Sequence, residues 1–411
     1  MCKTATASAQ ISRYNSGHNG DYPQKHFPRR HKKCNFVHQA PPETMFLERI
    51  SILNFKNIEE AELEFSANVN CLVGDNGAGK TNLIDAVYYL SISKSSVGLT
   101  DGQSVRHGSD YFMLDGRYSL SEGERREAIV CSFKRGGGKV IKRNGKEYDR
   151  VSEHIGLLPL VMVSPADTAL IHESGDERRR FLNSFLSQTD REYLTAIVRY
   201  NHLLQERNRL LKTGMGSAFD EILEVLDMQL IETGTAVHEK RAEMIRRLAP
   251  KVAEYYGILS SDREEVTVSY KSELTETPFA ELLTAAREKD RVCGFTNCGV
   301  HRDDIKLEIL GFPIRKYGSQ GQQKSMLLAL KLAQFDMMRE LRGIRPILLL
   351  DDVFDKLDMA RVEALIGMVS SDRFGQIFIT DSNKIRLEGI LTRLTENYKL
   401  FGVNGGRFTE L

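Results

Sequence analysis

The stretch Gly74-Asp75-Asn76-Gly77-Ala78-Gly79-Lys80-Thr81 matches the glycine-rich loop that binds phosphate groups. It follows the apolar run Val69 to Val73 and precedes apolar residues that recur at helical spacing up to Leu90. Glycines let successive backbone N–H groups turn inward around a phosphate, and the N-terminus of the following helix adds positive potential. Strand, loop and helix together predict an α/β nucleotide-binding fold.

The loop also predicts how a nucleotide would be held. Lys80 is expected to contact the β- and γ-phosphates and to contribute to catalysis there. Thr81 is expected to ligate Mg²⁺. The other expected nucleotide contacts are the remaining loop residues: Gly74, Asp75, Asn76, Gly77, Ala78 and Gly79. The predicted cofactors are therefore ATP and Mg²⁺.

A second apolar run, Ile347 to Leu350, ends in Asp351 and Asp352. A buried parallel strand that places carboxylates at its C-terminal tip supplies the acids that such a phosphate loop requires. We expect Asp351 to hold Mg²⁺, directly or through water. Asp352 is expected to orient or deprotonate the attacking water.

The segment Ser319-Gln320-Gly321-Gln322-Gln323 opens a helix. Taken alone, it is a helix with a good serine N-cap. Its place in the chain changes the interpretation, because phosphate loop, Ser-x-Gly-Gln and an apolar strand with acids follow one another as in the ABC-type ATPases. The resemblance implies that Ser319, Gly321 and Gln322 cover the nucleotide of an opposite subunit. Asp355-Lys356-Leu357-Asp358 resembles the loop that these ATPases use across the dimer interface.

The motifs resemble more closely those of the bacterial RecF family, and they come in that family's order between residue 45 and about residue 380. They are Phe55-Lys56-Asn57, Gly74 to Asn82, Ser164-Pro165-Ala166-Asp167, Glu177 to Leu182, His301-Arg302-Asp303-Asp304 and Ser319 to Lys324. The resemblance implies an ABC-type ATPase of recombinational repair and replication, acting in the DNA-damage (SOS) response. It also implies ATP-dependent homodimerisation, DNA binding at single-stranded gaps and duplex junctions, and work with RecR and RecO that helps to load RecA.

The sequence departs from these patterns in several places. Val300 stands where the family usually has proline, which affects only a loop conformation. The position of the switch histidine of many ABC enzymes carries Thr380-Asp381, so no catalytic histidine is predicted and hydrolysis is expected to be slow. Ser164 to Asp167 occupies the place of the glutamine loop of transporters.

Two charged segments permit two interpretations each. The run Arg178 to Arg180 could contact phosphate, or form a helix face balanced by Asp176 and Glu177. Arg302 with the two aspartates that follow could be a site, or an ion-paired corner.

The predicted architecture is an α/β ABC-type P-loop ATPase head with a second, mostly helical lobe. Residues 45–165 and 346–411 form the ATPase lobe with Walker A and Walker B, and residues 166–345 the second lobe with the signature motif. Helices are expected from Asp176 to Lys212 and from about Ala218 to Ala253, the second ending near Pro250. The last predicted strand is Ile377 to Thr380.

Residues 1–44 carry seven Lys or Arg and two Asp or Glu side chains, whereas the rest of the chain carries 50 and 54. The first segment lacks apolar periodicity and is predicted to be a disordered basic leader or a mis-assigned start. It lacks the apolar stretch of a secretory signal. No apolar run approaches the ~20 residues needed to span a bilayer. We therefore expect a cytoplasmic protein without a membrane partner.

Two other function classes stay open at this point. An ABC transporter ATPase should carry a glutamine loop and a membrane-facing coupling surface. A nucleotide-gated scaffold would bind ATP and protein partners but no DNA, and the net charge of +1 is compatible with it.

Overall fold

The structure is a computed structural model, and it describes most of the chain after residue 42. The described residues are 43–120, 125–214, 218–261, 263–354, 357–369, 373–394 and 397–411. The predicted leader lies outside them except for its last two residues. Asp355 and Lys356 of the predicted interface loop also lie outside.

The strands of the described residues are β1 (Met45–Phe55), β2 (Ile58–Glu64), β3 (Val69–Val73), β4 (Tyr111–Leu120), β5 (Arg125–Lys134), β6 (Gly138–Arg143), β7 (Lys146–Glu147), β8 (Leu160–Val163), β9 (Val266–Lys271), β10 (Asp304–Ile309), β11 (Phe312–Pro313), β12 (Ile347–Leu350), β13 (Ile377–Asp381), β14 (Tyr398–Asn404) and β15 (Arg407–Glu410). The helices are α1 (Lys80–Ile92), α2 (Asp101–Ser104), α3 (Ala169–His172), α4 (Gly175–Thr189), α5 (Arg191–Thr213), α6 (Phe219–Ser260), α7 (Phe279–Cys293), α8 (Ile314–Tyr317), α9 (Gln320–Arg342), α10 (Met359–Val369) and α11 (Lys384–Leu394). None of these helices is both long enough and apolar enough to cross a membrane.

The central sheet has the strand order β8-β12-β13-β3-β14-β15, and all of its pairs are parallel except that of β14 with β15. Strands β3, β8, β12 and β13 are buried along their whole length. Continuous burial is typical of parallel strands covered on both faces. Parallel pairing also brings the C-terminal ends of these four strands to one edge, and that edge carries the candidate site.

Alternate side chains of the central sheet belong to two hydrophobic cores. Leu348 and Leu350 of β12 lie in one core with apolar residues of α4, α5, α6 and α9. Ile347 and Leu349 lie in the other core, with α1 and an antiparallel sheet. This two-residue period is that of a strand with two buried faces.

The antiparallel sheet has the order β2-β1-β4-β5-β6-β7. Strands β1 and β2 meet at the turn predicted at Lys56-Asn57, where Phe55 pairs with Ile58. A third sheet, with the order β11-β10-β9, lies in the part of the chain that leads to the signature helix α9.

Three predictions of secondary structure were wrong. Helix α6 passes Pro250 and ends at Ser260. A proline inside a helix costs about 3 kcal/mol, but the turns that follow it bury Val252 and Tyr256, and this burial offsets the cost. The stretch predicted as one helix from Asp176 divides into α4 and α5, because Asp190 caps α5 by accepting the Tyr193 N–H at 3.0 Å.

The chain also continues beyond the last predicted strand. Helix α11 and strands β14 and β15 follow β13, and β14 pairs in parallel with β3. The alternation in this short segment was too weak to predict a strand, although its register places it beside the phosphate loop.

Candidate functional site

The phosphate loop leaves the end of β3 and is shaped by its glycines. A Cβ on Gly74 would lie 2.2 Å from the carbonyl oxygen of Val403 in β14, so only glycine fits there. Gly77 and Gly79 have φ values of 82° and 115°, which other residues rarely adopt. Asp75 and Asn76 are exposed at the rim of the loop.

Lys80 begins α1 and folds back over the loop. Its ammonium donates to the carbonyl oxygens of Gly74 at 2.7 Å and Asp75 at 3.1 Å, and the residue is 4% exposed. The residue before it, Gly79, has no side chain that could cap the helix, so the first N–H groups of α1 remain available for an anion. The lysine is thus positioned over the loop in which phosphate is predicted to lie.

The phosphate loop and the tip of β12 meet through side chains. The Thr81 hydroxyl donates to Asp351 Oδ1 at 3.2 Å. The Thr380 hydroxyl, at the end of β13, donates to the same oxygen at 2.7 Å and accepts the Asp352 N–H at 2.9 Å. The first turn of α1 and the end of β13 therefore both contact the buried carboxylate that follows β12.

Burial raises the pKa of Asp351 above its ordinary value of 3.8, and the nearby charge of Asp352 raises it further. The hydrogen bonds from Thr380 and Thr81 and the charge of Lys80 oppose this shift. Because the pKa is raised, the charged carboxylate is unfavourable in the folded state without a cation. The folded state therefore loses stability as the pH rises from the ordinary pKa through the raised pKa of Asp351. A bound divalent cation would reverse that cost.

Oxygen donors of this kind suit Mg²⁺, which proteins hold through one or two carboxylates together with substrate phosphates. Thr81 and Asp351 provide a hydroxyl and a carboxylate at hydrogen-bond distance from each other. Within the described residues, no group of three or more His, Cys, Asp or Glu could hold a metal by itself. The donor set therefore fits a cation that is completed by a nucleotide.

Asp352 adopts a left-handed backbone conformation with φ of 47°. It lines a cavity of about 600 Å³ together with Asn76 and Asp351. The Thr380 hydroxyl lies 2.7 Å from Asp351 Oδ1 and 3.5 Å from Asp352 Oδ1, so it contacts both neighbouring carboxylates. The role of Asp352 toward the attacking water stays a prediction.

The signature segment, residues 319–324, begins α9. Ser319 caps this helix by accepting the Gln322 N–H at 3.3 Å, and the Gln322 side-chain oxygen accepts the Ser319 N–H at 2.6 Å. Gln322 also donates to Glu264 at 2.9 Å. The cap that the sequence predicted is therefore present, with Ser319 exposed.

The structure brings together only part of the predicted site. Asn76, Asp351 and Asp352 line one cavity, but Ser319, Gly321 and Gln322 do not line it. Three of their neighbours in the signature segment, Gln320, Gln323 and Lys324, do. Within one chain, the serine of the signature segment is not part of the cavity at the phosphate loop.

Sequence reasoning missed Thr380 as a contributor to the site. The signal was present, because Ile377 to Ile379 is an apolar strand that ends in polar residues, as Ile347 to Leu350 is. Beside Thr380, Asp381 is buried and accepts two hydrogen bonds of 2.7 Å from Arg386. The position of the switch histidine is thus occupied by two residues that hold other side chains in place.

Asn57, from the predicted Phe55-Lys56-Asn57 motif, flanks the phosphate loop. Its side-chain oxygen accepts from Asn82 of α1 at 2.7 Å, and a Cβ on Gly79 would lie 2.9 Å from its amide nitrogen. The preceding Lys56 forms a buried ion pair with Asp85 at 2.6 Å. The motif therefore fastens the β1–β2 turn against the first turns of α1.

The two charged segments with open interpretations are engaged within the chain. Arg178 donates to both carboxylate oxygens of Asp304, at 2.6 and 2.9 Å. Arg179 donates to the Asp303 carbonyl at 2.6 Å, and the Asp303 carboxylate accepts from the buried Arg241 at 3.0 Å. These contacts favour the ion-paired corner over a phosphate site for Arg178, Arg179 and the aspartates.

We expect Thr380→Val to move the nucleotide-binding pH profile. Valine keeps the shape but removes a hydrogen bond that lowers the pKa of Asp351, so that pKa rises further. It also leaves the partly buried Asp352 N–H without its acceptor, at a cost of up to about 1–3 kcal/mol. Binding of a fluorescent ATP analogue with Mg²⁺ should be measured as the pH is lowered. Because Asp351 is then protonated at a higher pH, binding should be lost at a higher pH than in the unmodified chain. Thr380→Ser keeps the hydroxyl and should restore the profile; an unchanged profile in Thr380→Val would contradict this role.

Known proteins resemble this chain over most of its length. The family model described as RecF/RecN/SMC N terminal domain matches residues 46–405. The DNA replication and repair protein RecF of Phocaeicola vulgatus is 48% identical over 368 residues, which are 89% of this chain and 98% of that protein. The RecF protein of Flavobacterium johnsoniae is 43% identical over 361 residues, which are 87% of this chain and 100% of that protein.

Solved structures agree with this. A structure of the recombination mediator protein RecF with ATP, in the RecFOR pathway, has a TM-score of 0.80 at 30% identity and covers 91% of this chain and 99% of that one. A Smc head domain from Pyrococcus furiosus has a TM-score of 0.53 at 16% identity, which shows the fold alone. The predicted fold class, an α/β ABC-type ATPase head with a mostly helical lobe, is confirmed; the residue bounds of the two lobes stay a prediction.

Sequence identity near one half extends over almost the whole length of the relatives. The match to the family model and the similarity to the solved structure agree with it. The chain belongs to the RecF family.

Proposed function

We propose that this protein is a slow ABC-type ATPase that binds DNA and acts in recombinational repair and replication, with ATP controlling its dimerisation. The observation that carries the proposal is the contact between Thr81 and Asp351. It joins the phosphate loop to the acidic tip of β12 at 3.2 Å, as a site for a nucleotide and a divalent cation requires.

Nucleotide binding is assigned to the chain's own loop. The backbone of residues 74–79 would cradle the phosphates, Lys80 would bind phosphate oxygens in place of its two carbonyl partners, and Thr81 and Asp351 would hold the cation. When bound, Mg²⁺ would neutralise charge that develops on the phosphates. Asp352, on the cavity wall, orients the attacking water or accepts its proton.

A second copy is assigned the remaining contacts. Ser319 is exposed and does not line the cavity that holds Asp351 and Asp352. This arrangement supports the proposal that Ser319, Gly321 and Gln322 act on the nucleotide of the opposite subunit in an ATP-dependent homodimer.

Slow turnover follows from the residues at the end of β13. Thr380 and Asp381 stand where many ABC enzymes have a histidine, and neither side chain is an imidazole that could contact the γ-phosphate. Both are already engaged, in hydrogen bonds with Asp351, Asp352 and Arg386. The dimer would therefore persist for long periods before hydrolysis releases it. Slow hydrolysis of this kind suits a protein that acts by staying dimeric and bound to its partners.

The partners are proposed from the names of the relatives. Those proteins are named for DNA replication and repair and for the RecFOR pathway. We accordingly propose that this chain binds DNA at single-stranded gaps and duplex junctions in the cytoplasm, and that it works with RecR and RecO to help load RecA.

The test is the mass of the protein in solution, measured with and without ATP and with and without a gapped duplex. A dimer that requires ATP, and a DNA complex that weakens with salt because phosphate contacts release counterions, is the expected result. An ATP-dependent dimer that fails to bind DNA at low salt would favour the nucleotide-gated scaffold. Failure to dimerise with ATP would refute the proposed switch.

Lys80→Met should weaken ATP binding by at least about tenfold, because a charged group that contacts phosphate contributes roughly 1.5–3 kcal/mol. The lysine also bonds two loop carbonyls, so a small loss of stability is expected as well. Binding of a fluorescent ATP analogue, read alongside a thermal melt, separates the two effects. Arg207→Met breaks buried ion pairs with Asp227 and Asp290, which join α5 to α6 and α7, and is the control for stability. ATP binding that is equal to that of the unmodified chain would remove Lys80 from the site.

A further inference from the structure

His172 is the last residue of α3, the short helix that follows β8. It is exposed, and it lines the same cavity as Asp351 and Asp352. The two residues before it, Leu170 and Ile171, are buried. Two apolar side chains therefore anchor this helix in the core, and its last residue presents an imidazole to the cavity at the phosphate loop.

Three basic side chains line this cavity, and they belong to His172, Lys324 and Arg386. Arg386 donates two hydrogen bonds of 2.7 Å to Asp381, and Lys324 is also engaged by other groups of the protein. His172 forms no hydrogen bond or ion pair with any residue that the structure describes. Its ring nitrogens are therefore available to a ligand.

The other charged side chains on the cavity wall are carboxylates, and they belong to Asp351, Asp352 and Asp381. Glu173 follows His172 in the chain but does not line the cavity. A phosphate group in this cavity would lie among carboxylates and would need donors besides Lys80. An imidazole can donate to a phosphate oxygen in either protonation state, and it adds positive charge when it is protonated.

Arg178 of α4 holds the end of α3 in place. Its guanidinium donates to the carbonyl oxygens of Leu170 at 2.9 Å and Glu173 at 3.1 Å. The same guanidinium donates to both carboxylate oxygens of Asp304, at 2.6 and 2.9 Å. The ion pair with Asp304 therefore fixes the guanidinium, and the guanidinium fixes the backbone that carries His172.

The beginning of the same segment is fixed from α9. Asp167 accepts the Ser164 N–H at 2.7 Å and forms a largely buried ion pair with Lys331 at 2.6 Å. Residues 164–173 are thus held between α4 and α9. A side chain on a segment that is already ordered loses less conformational freedom on binding, so more of the interaction remains as affinity.

We propose that His172 binds the terminal phosphate of ATP in the chain's own phosphate loop, with Arg178 as the residue that positions it. The inference rests on the proposed nucleotide site and adds to it a contact from the segment after β8. ADP lacks the terminal phosphate, so the contact raises the affinity for ATP and leaves the affinity for ADP unchanged.

The contact of His172 is a binding contact, because activation of the water is assigned to Asp352. An interaction that is equally strong in the ground state and the transition state raises affinity without raising the rate of the chemical step. The proposal is therefore compatible with slow turnover. It also gives the ion-paired corner of Arg178 and Asp304 a role in recognition of the nucleotide.

The test is equilibrium binding of ATP and of ADP, each with Mg²⁺, at protein concentrations where the chain is monomeric. We expect His172→Ala to weaken ATP binding roughly tenfold, a usual contribution of a hydrogen bond to a charged group, and to leave ADP binding unchanged. His172→Gln keeps an N–H donor and should recover part of the loss. The control is His107→Ala, because His107 is exposed and lies outside the cavity. Thermal melts of all three variants should match that of the unmodified chain.

Arg178→Lys tests the positioning role. Lysine keeps the charge but lacks the planar fork that contacts Asp304 and the two carbonyl oxygens together. We expect a lower melting temperature whether or not His172 is present. The ratio of ATP affinity to ADP affinity should fall only in the chain that retains His172. An equal fall of this ratio in the His172→Ala background would overturn the positioning role.

The binding data separate this inference from the proposed function. An unmodified chain that binds neither nucleotide refutes the proposed nucleotide site and the role of His172 together. A chain that binds ATP, with a His172→Ala variant that binds it equally well, overturns the role of His172 alone. Equal weakening of ATP and ADP binding would also overturn it, because the contact would then not be with the terminal phosphate. A loss that is confined to ATP supports the proposal.

Discussion

Asp352→Asn should slow ATP hydrolysis by roughly 10²–10⁴-fold, the usual contribution of a general base. ATP affinity should stay close to normal, because the cation would remain on Asp351 and Thr81. The structure makes asparagine a clean replacement. Asp352 has φ of 47°, a conformation that asparagine tolerates, and its backbone N–H keeps its bond to Thr380.

Single-turnover hydrolysis by Asp352→Asn, measured beside equilibrium binding of ATP, separates the chemical step from affinity. The matched control is Asp351→Asn, which should instead lose Mg²⁺-dependent binding because its carboxylate is the one that Thr81 contacts. A dimer that forms with ATP and persists in Asp352→Asn is the accompanying expectation. Unchanged hydrolysis would mean that another acid activates the water.

Ser319→Arg should abolish ATP-induced dimerisation while leaving ATP binding by the single chain close to normal. The side chain is exposed and is not among the residues that line the cavity with Asp351 and Asp352, so the substitution removes no group from the chain's own nucleotide site. In the proposed dimer the same position faces the opposite nucleotide. Arginine would obstruct that approach, and little hydrolysis should remain.

The control for Ser319→Arg is Ser319→Ala, because both variants lose the cap on Gln322 and its contribution of ~1 kcal/mol. A loss of dimer through destabilisation would appear in both variants equally. A loss through obstruction should be far greater in the arginine variant. Sedimentation with ATP distinguishes the two, and a normal dimer peak in Ser319→Arg would rule out the trans-site arrangement.

Local chemistry made the phosphate loop predictable. Residues 74–81 need glycine at fixed positions because the loop uses backbone conformations that other residues rarely adopt. The helix that follows can be predicted from the spacing of its own apolar residues. The apolar strand before Asp351 and the serine cap of α9 are local in the same sense. The order of these segments, with the motifs between them, was sufficient to indicate the family.

Tertiary structure decided which distant residues complete the site. Val403 forces glycine at position 74 across more than 300 residues of chain, and the Thr380 hydroxyl contacts the carboxylates of both Asp351 and Asp352, which follow the neighbouring strand. The prediction that α6 would end at Pro250 failed for the same reason. Burial against other helices outweighed a local penalty that the sequence displayed plainly.

The sequence by itself thus determined the phosphate loop, the acidic strand end and their order, because each depends on interactions between near neighbours. Only the tertiary structure placed Asn57, Thr380 and Val403 around the loop and left Ser319 outside the cavity. Parallel pairing sets these positions, because it brings together strand ends that are far apart in the chain. The contacts depend on the register between strands, and this register cannot be derived from the sequence of one strand alone.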